Sequence, residues 1–371
     1  MAKFLSPGFA VMLFLTASLG LGLNSSESRP SAAERVHQGD APEYIEIIRM
    51  YRNGMYDVAL RHLQNVDPQQ VLNRLGSPEQ RSLPPRDERH IKDPLFRPGD
   101  DLLRAAALMH TELAMKKANE FHFRENATQL EIAERLIERI RNPATREGFR
   151  RDWLLANGYF FQASVFELGV LDGYELAKEH FDEAVKRFPD DAEICLSAGA
   201  LHEWAGSLKY GDKSELKRAE ELYRLALKAN PELGETHLRY GRVLVKRGRD
   251  DGAVSYLLEA LQNDDGPTPF VSYVARMMLG GIAERKGDLK SAIVSYKEAA
   301  NLIPSWETAK LALSHALHVA GQHEESSRVL ASTVGVATSS AEDFDGWMVY
   351  ELGHAMRLEA LLASMKAEIP R

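Results

Sequence analysis

Apolar residues along this chain recur three and four positions apart almost throughout. Sustained alternation of apolar and polar positions is close to nil, so the pattern predicts helices and no sheet. Tyr44, Ile47, Ile48 and Tyr51 share one helical face, Asn53-Gly54 interrupts it, and Val58, Ala59, His62 and Leu63 resume it. This predicts a helical pair over residues 43–66. Residues 67–99 then carry Pro68, Pro78, Pro84, Pro85, Pro94 and Pro98, too many for one continuous helix. They read as an extended linker with room for a short helix near Gln69–Leu75. From Asp100 the helical spacing returns. Asp100 or Asp101 stands where a cap is wanted, ahead of Leu102, Leu103, Ala106 and Leu113. A second helix through Leu130, Ala133, Leu136, Ile137 and Ile140 stops at Asn142-Pro143.

After Trp153 the pattern gains a finer detail. A helix carries an alanine, a large residue four on, a small residue three further, and then a turn. The instances are Ala177, Phe181, Ala184 and Pro189; Ala219, Tyr223, Ala226 and Pro231; Ala253, Leu257, Ala260 and Asp265; and Ala292, Tyr296, Ala299 and Pro304. Ser326, Leu330 and Thr333 form a weaker fifth. The leading positions lie 42, 34, 39 and 34 residues apart. A small residue precedes three of them by 12 positions (Gly241, Gly280 and Ser314), and Gly199 precedes Ala219 by 20, with eight extra residues in the loop 204–217. Antiparallel helices approach closely only where both present small side chains, the expected use of Gly or Ala opposite Ala. The large residue is expected to fill the groove towards the next helix.

This arrangement resembles the tetratricopeptide repeat family, whose period is 34 residues. The resemblance is clear over 153–334 and extends in degenerate form to 44–66 and 100–143. It implies an all-α fold, a right-handed helical-hairpin solenoid over residues 100–334 closed by a C-terminal capping helix. It also implies a non-catalytic role, holding a partner protein or peptide in a concave groove lined by the first helix of each pair. In this register the groove receives Glu193, Leu196, Ala200 and Glu203, then Leu238, Arg242, Val245 and Lys246. It continues with Met277, Gly281, Glu284 and Arg285, then Leu311, His315 and His318. Arg239, Arg242, Lys246, Met277, Arg285, His315 and His318 are the expected partner-binding residues. A peptide with an acidic residue and an apolar anchor suits such a locally basic surface. Ordinary solvated charges at helix ends are the competing reading. Arg242, Gly281 and His315 stand where one subtype of the family places the asparagines that grip chaperone tails, so chaperone-tail binding is not supported. Residues 335–371, with Trp347, Tyr350 and the amphipathic run Leu352, Met356, Leu358, Leu361, Leu362 and Met365, are expected to cover the apolar face of the last repeat.

Composition narrows the function classes. With 371 residues, 44% apolar and 27% charged, the chain is ordinary globular material. Its formal net charge of −8 disfavours general attraction to nucleic acid. The single cysteine, Cys195 between Ile194 and Leu196, rules out an intramolecular disulfide and reads as a buried, inert thiol. Lys3 precedes an apolar run over residues 9–23, which is signal-peptide length and short of a bilayer span. Residues 1–23 are therefore expected to be a signal peptide or an N-terminal anchor, and 24–42 a flexible tether. The expected location is the periplasm or cell envelope of a bacterium, with membrane attachment only through residues 9–23 if they are retained.

Catalytic signatures are missing. The chain carries no phosphate-binding loop, no Gly-x-Ser-x-Gly and no His-Glu-x-x-His, and Glu351-Leu-Gly-His354 occurs once where a di-iron bundle needs two. No enzyme activity, cofactor or metal is expected in the leading reading. The alternative is a metal- or small-ligand site around His315 and His318, which are three apart on one helix face with His323 and Glu324 beyond.

Overall fold

The computed structural model describes residues 43–75, 99–119, 123–168, 171–208, 211–262, 269–333 and 357–370. Among them are sixteen helices and no strand. The expected signal or anchor, the tether, most of the linker and the segment 334–356 with Trp347 and Tyr350 lie outside the described residues. Among the described residues no helix is long and apolar enough to cross a membrane. The chain divides into two compact units, one drawn from residues up to 156 and from 357 onward, the other from 157–356.

The first unit contains α1 (Tyr44–Arg52), α2 (Tyr56–Leu63), α3 (Pro68–Leu75), α4 (Asp100–Asn119), α5 (Phe123–Ile137), the start of α6 (Pro143–Leu168) and α16 (Leu358–Ala367). The shared face of Tyr44, Ile47, Ile48 and Tyr51 is buried and packs on α4. The short helix foreseen in the proline-rich stretch is present as α3, with Pro68 in its first turn and the Asp67 carboxylate accepting from the Gln69 N–H at 3.0 Å. Val71, Leu72 and Leu75 bury its inner face. Asp100 does something other than cap α4: its carboxylate accepts from the backbone N–H groups of Arg141 and Asn142 at 3.0 Å each, pinning the turn between α5 and α6. Those two bonds lower its pKa. At the centre of this unit His110 bridges Tyr44 (2.6 Å) and Gln129 (2.5 Å).

The C-terminal helix has its partner in the first unit. α16 belongs to that unit, where it packs against α4. Leu358, Leu362 and Met365 are buried, Lys366 pairs with Glu112 and lies 4.5 Å above the Tyr56 ring, and Arg52 donates to the Pro370 carbonyl at 2.6 Å. Amphipathicity shows that a helix has a partner, not which partner.

The second unit is an all-α solenoid of helical hairpins. The latter part of α6 is followed by α7 (Leu171–Arg187), α8 (Ala192–Ser207), α9 (Lys213–Ala229), α10 (Gly234–Lys246), α11 (Asp250–Gln262), α12 (Phe270–Arg285), α13 (Leu289–Leu302), α14 (Glu307–Val319) and α15 (His323–Ala331). From α7 on, each helix packs on the next, and the first helices α8 with α10 and α10 with α12 also touch. Asp191, Asp212 and Asp288 cap α8, α9 and α13 through their side chains. The repeated alanines Ala177, Ala219, Ala253 and Ala292 are all fully buried.

The large residue of each repeat packs differently from the expectation. It lies over the glycine of its own pair rather than only towards the next one. A Cβ placed on Gly158, Gly199, Gly241 or Gly280 would come within 2.6, 2.5, 2.9 or 2.4 Å of Phe181, Tyr223, Leu257 or Tyr296 respectively. Each glycine is thus a seat for the ring or branched chain opposite. In the last hairpin serines take over: Ser314 and Ser326 exchange hydrogen bonds of 2.8 and 3.0 Å with each other's carbonyls, while Leu330 is left exposed. Cys195 is buried, its thiol pushed up to about 11 by that burial, in keeping with an inert role.

Candidate functional site

The seat glycines give the first helices a common register, so equivalent groove positions can be compared directly. Four residues after the seat stand Glu203 in α8, Val245 in α10, Glu284 in α12 and His318 in α14. Where the opposing residue is tyrosine this position is glutamate, and where it is Leu257 the position is Val245. The reason is visible: Tyr223 donates to Glu203 at 2.7 Å and Tyr296 donates to Glu284 at 2.8 Å. A buried phenol needs an acceptor, and leucine does not. Burial first, and then the carboxylate it donates to, raise the Tyr296 pKa far above the ordinary phenol value.

One position after the seat stand Ala200, Arg242, Gly281 and His315. Arg242 reaches back to Glu203 at 3.1 Å, and His315 Nδ1 reaches back to Glu284 at 2.8 Å. The two contacts are the same interaction made two repeats apart. Arg239 joins the first, lying 3.3 Å from Glu203 and 2.9 Å from Glu235.

These partners decide what the expected basic centre is. Arg239 is 3% exposed and Arg242 is 5% exposed. They are neither a solvated cationic patch nor ordinary charges at helix ends. They form an internal cluster in which Glu203 and Glu235 offset two guanidiniums. Met277 is buried as well, beside Met278 in the same core. Lys246 and Arg285 are exposed, the latter with Asp250 at 3.0 Å. The expected set therefore splits. Arg239, Arg242 and Met277 are internal, while Lys246, Arg285, His315 and His318 are on the surface.

The split follows a gradient along the solenoid. Three residues before the seat, Leu196 and Leu238 are buried, Met277 is just buried, and Leu311 is 46% exposed. One residue after it, Ala200 and Arg242 are buried, Gly281 is half-buried and the His315 side chain is 64% exposed. Four residues after it, Glu203 is buried, Val245 and Glu284 are half-buried and His318 is exposed. The first helices are thus closed at α8 and open at α14. The coupling of seat residue, tyrosine and glutamate was readable from sequence spacing alone and would have flagged Glu203 as a buried acceptor.

The ligand set imagined for His315 and His318 does not assemble. His315 turns to Glu284, and His318 faces His323, Nδ1 to Nδ1 at 3.3 Å. No group of three or more His, Cys, Asp or Glu residues suited to a metal occurs among the described residues.

Family models described as tetratricopeptide repeat match residues 207–267 and 273–305, spanning α9 through α13. The chain carries tetratricopeptide repeats there, as the spacing of its alanines and glycines predicts. No curated protein matches the chain. Among solved structures it is similar to a MamA protein, at 15% identity over 53% of this chain and 96% of that one, with a TM-score of 0.41. It is also similar to PilF of Pseudomonas aeruginosa, at 16% identity over 58% of this chain and 90% of that one, with a TM-score of 0.42.

Proposed function

We propose that this protein is a non-catalytic scaffold that binds another protein or peptide on the distal, open part of its groove. The observation carrying this reading is the exposure gradient. α14 presents Leu311, His315 and His318 at helical spacing on one uncovered face, whereas the equivalent positions of α8 and α10 are mostly closed. An apolar residue flanked by titratable and cationic groups, with Arg285 and Lys246 on the preceding first helices, suits a peptide that offers an apolar anchor and a carboxylate. Arg239 and Arg242 have a different part in this reading: they hold α10 against α8 and set the curvature on which the open face is displayed.

The scaffold works outside the cytoplasm, on the strength of the apolar run 9–23 behind Lys3. N-terminal sequencing of the chain recovered from a bacterial envelope distinguishes a removed signal peptide from a retained anchor. A retained initiator in the cytoplasmic fraction would refute export.

The binding reading is tested by affinity capture with the full chain and two variants. Leu311→Glu with Lys246→Glu alters the open face and should lose the captured partner while keeping its circular dichroism and denaturation midpoint. Leu258→Glu alters an exposed leucine of α11, a second helix, and should keep the partner. Equal capture by all three proteins would move the binding surface off the groove.

A further inference from the structure

We propose that His318 and His323 form a bidentate site for a tetrahedral divalent transition-metal ion of the zinc type, clasping the last hairpin. His318 lies in the final turn of α14 and His323 opens α15. Between them the chain makes a tight reversal fixed by Gly321 in the left-handed region (φ +78°), by Gln322 N–H to the Leu317 carbonyl at 2.9 Å and by Gly321 N–H to the His318 carbonyl at 3.0 Å. The backbone thus presets where the two side chains start.

The rings face each other through like atoms. Nδ1 of His318 is 3.3 Å from Nδ1 of His323, with ring centroids 4.7 Å apart and planes inclined at 60°. One neutral ring donates its Nδ1–H to the other's Nδ1, and a metal ion that displaces this proton would bind both nitrogens. An ion bound to each nitrogen at about 2.0–2.1 Å, with the nitrogens 3.3 Å apart, subtends about 107°, close to the tetrahedral angle. A square-planar ion needs the nitrogens nearer, at about 2.9 Å, so the spacing favours the zinc geometry over cupric copper. Both histidines are exposed, leaving the remaining coordination positions to water. With two protein ligands the site is an open chelate, weaker than a closed four-ligand site. His315 is not part of it, being held by Glu284 at 2.8 Å.

Zinc chloride is titrated by calorimetry into the full chain carrying no histidine tag. One ion per chain is expected, with His318→Ala and His323→Ala each weakening binding at least tenfold and His315→Ala leaving it within twofold. All three substitutions are at exposed positions, and circular dichroism verifies the fold. Nitrogen-15 spectra of the imidazoles give a second readout, in which the signals of His318 and His323 move together at one equivalent of zinc. Absence of binding, or binding that survives both His318→Ala and His323→Ala, overturns the proposal and leaves the hydrogen bond between the rings as the reason for the close approach.

Discussion

The sharpest test of the packing described here uses two adjacent glycines of α12. A methyl group on Gly280 would lie 2.4 Å from Cε1 and 2.6 Å from Cδ1 of Tyr296. The ring is buried and tethered at its hydroxyl by Glu284 at 2.8 Å, so it has little room to withdraw. Overpacking of this kind costs about 1–3 kcal/mol, and the short contact places Gly280→Ala at the upper end. Helix propensity returns about 1 kcal/mol for replacing glycine. The net expectation is a loss of about 2 kcal/mol. At Gly281 the added methyl would meet only Arg285 Nη1 at 3.6 Å and the Tyr296 hydroxyl at 3.7 Å, ordinary contacts. Gly281→Ala should therefore stabilise by up to about 1 kcal/mol, so neighbouring substitutions of identical chemistry should act with opposite sign. Urea denaturation followed by circular dichroism reads both. A cycle with Tyr296→Ala, which should itself cost about 3–5 kcal/mol, separates sterics from propensity. In that background Gly280→Ala should become neutral or favourable, a coupling of about 2–3 kcal/mol. Equal shifts from the two glycines, or strict additivity with Tyr296→Ala, would refute the seat-and-ring packing.

Two further expectations follow from the buried polar groups. Glu203→Gln removes the charge that offsets Arg239 and Arg242 and should cost about 3 kcal/mol or more, against about 1 kcal/mol or less for the half-buried Glu284→Gln; similar losses from both would contradict the internal placement of the cluster. His110 is held neutral by burial, its pKa lowered from 6.5 to about 4. Between those two pH values the unfolded chain takes up a proton that the folded chain does not. Stability of the first unit should therefore be full above about pH 6.5 and fall by about 3 kcal/mol on acidification through pH 4, with His110→Gln lacking that slope. An imidazole titration of His110 near 6.5 in proton spectra would exclude it.

The helices and the repeat were legible because helical packing imposes spacing rules that one sequence displays. Buried alanines at Ala219, Ala253 and Ala292 and glycines at Gly199, Gly241 and Gly280 announce close helix pairs wherever they recur. The fate of Arg239 and Arg242 was less visible. A charged residue on a first helix reads as solvent-facing until its counter-ion is known, and Glu203 lies 36 and 39 positions away. The destination of α16 was hidden for the same reason, since its contacts with Arg52, Tyr56 and Glu112 span some 250 to 320 residues and leave no local trace. Local rules define elements, whereas long-range charge pairing and docking depend on which surfaces the finished fold brings together.

The return of α16 to the first unit makes the solenoid, in effect, an insertion within another domain. The first unit closes only when a stretch of about 200 intervening residues has already been made, while each repeat needs only its neighbours. During synthesis the repeats are free to fold in order behind an unfinished first unit, whose last helix is made after all of them. A stop codon or proteolytic cut that removes Leu358–Ala367 would strip the buried Leu358, Leu362 and Met365 from a unit that begins more than 300 residues earlier, and spare the neighbouring repeats. Damage at Leu358–Ala367 is felt among the first helices of the same unit.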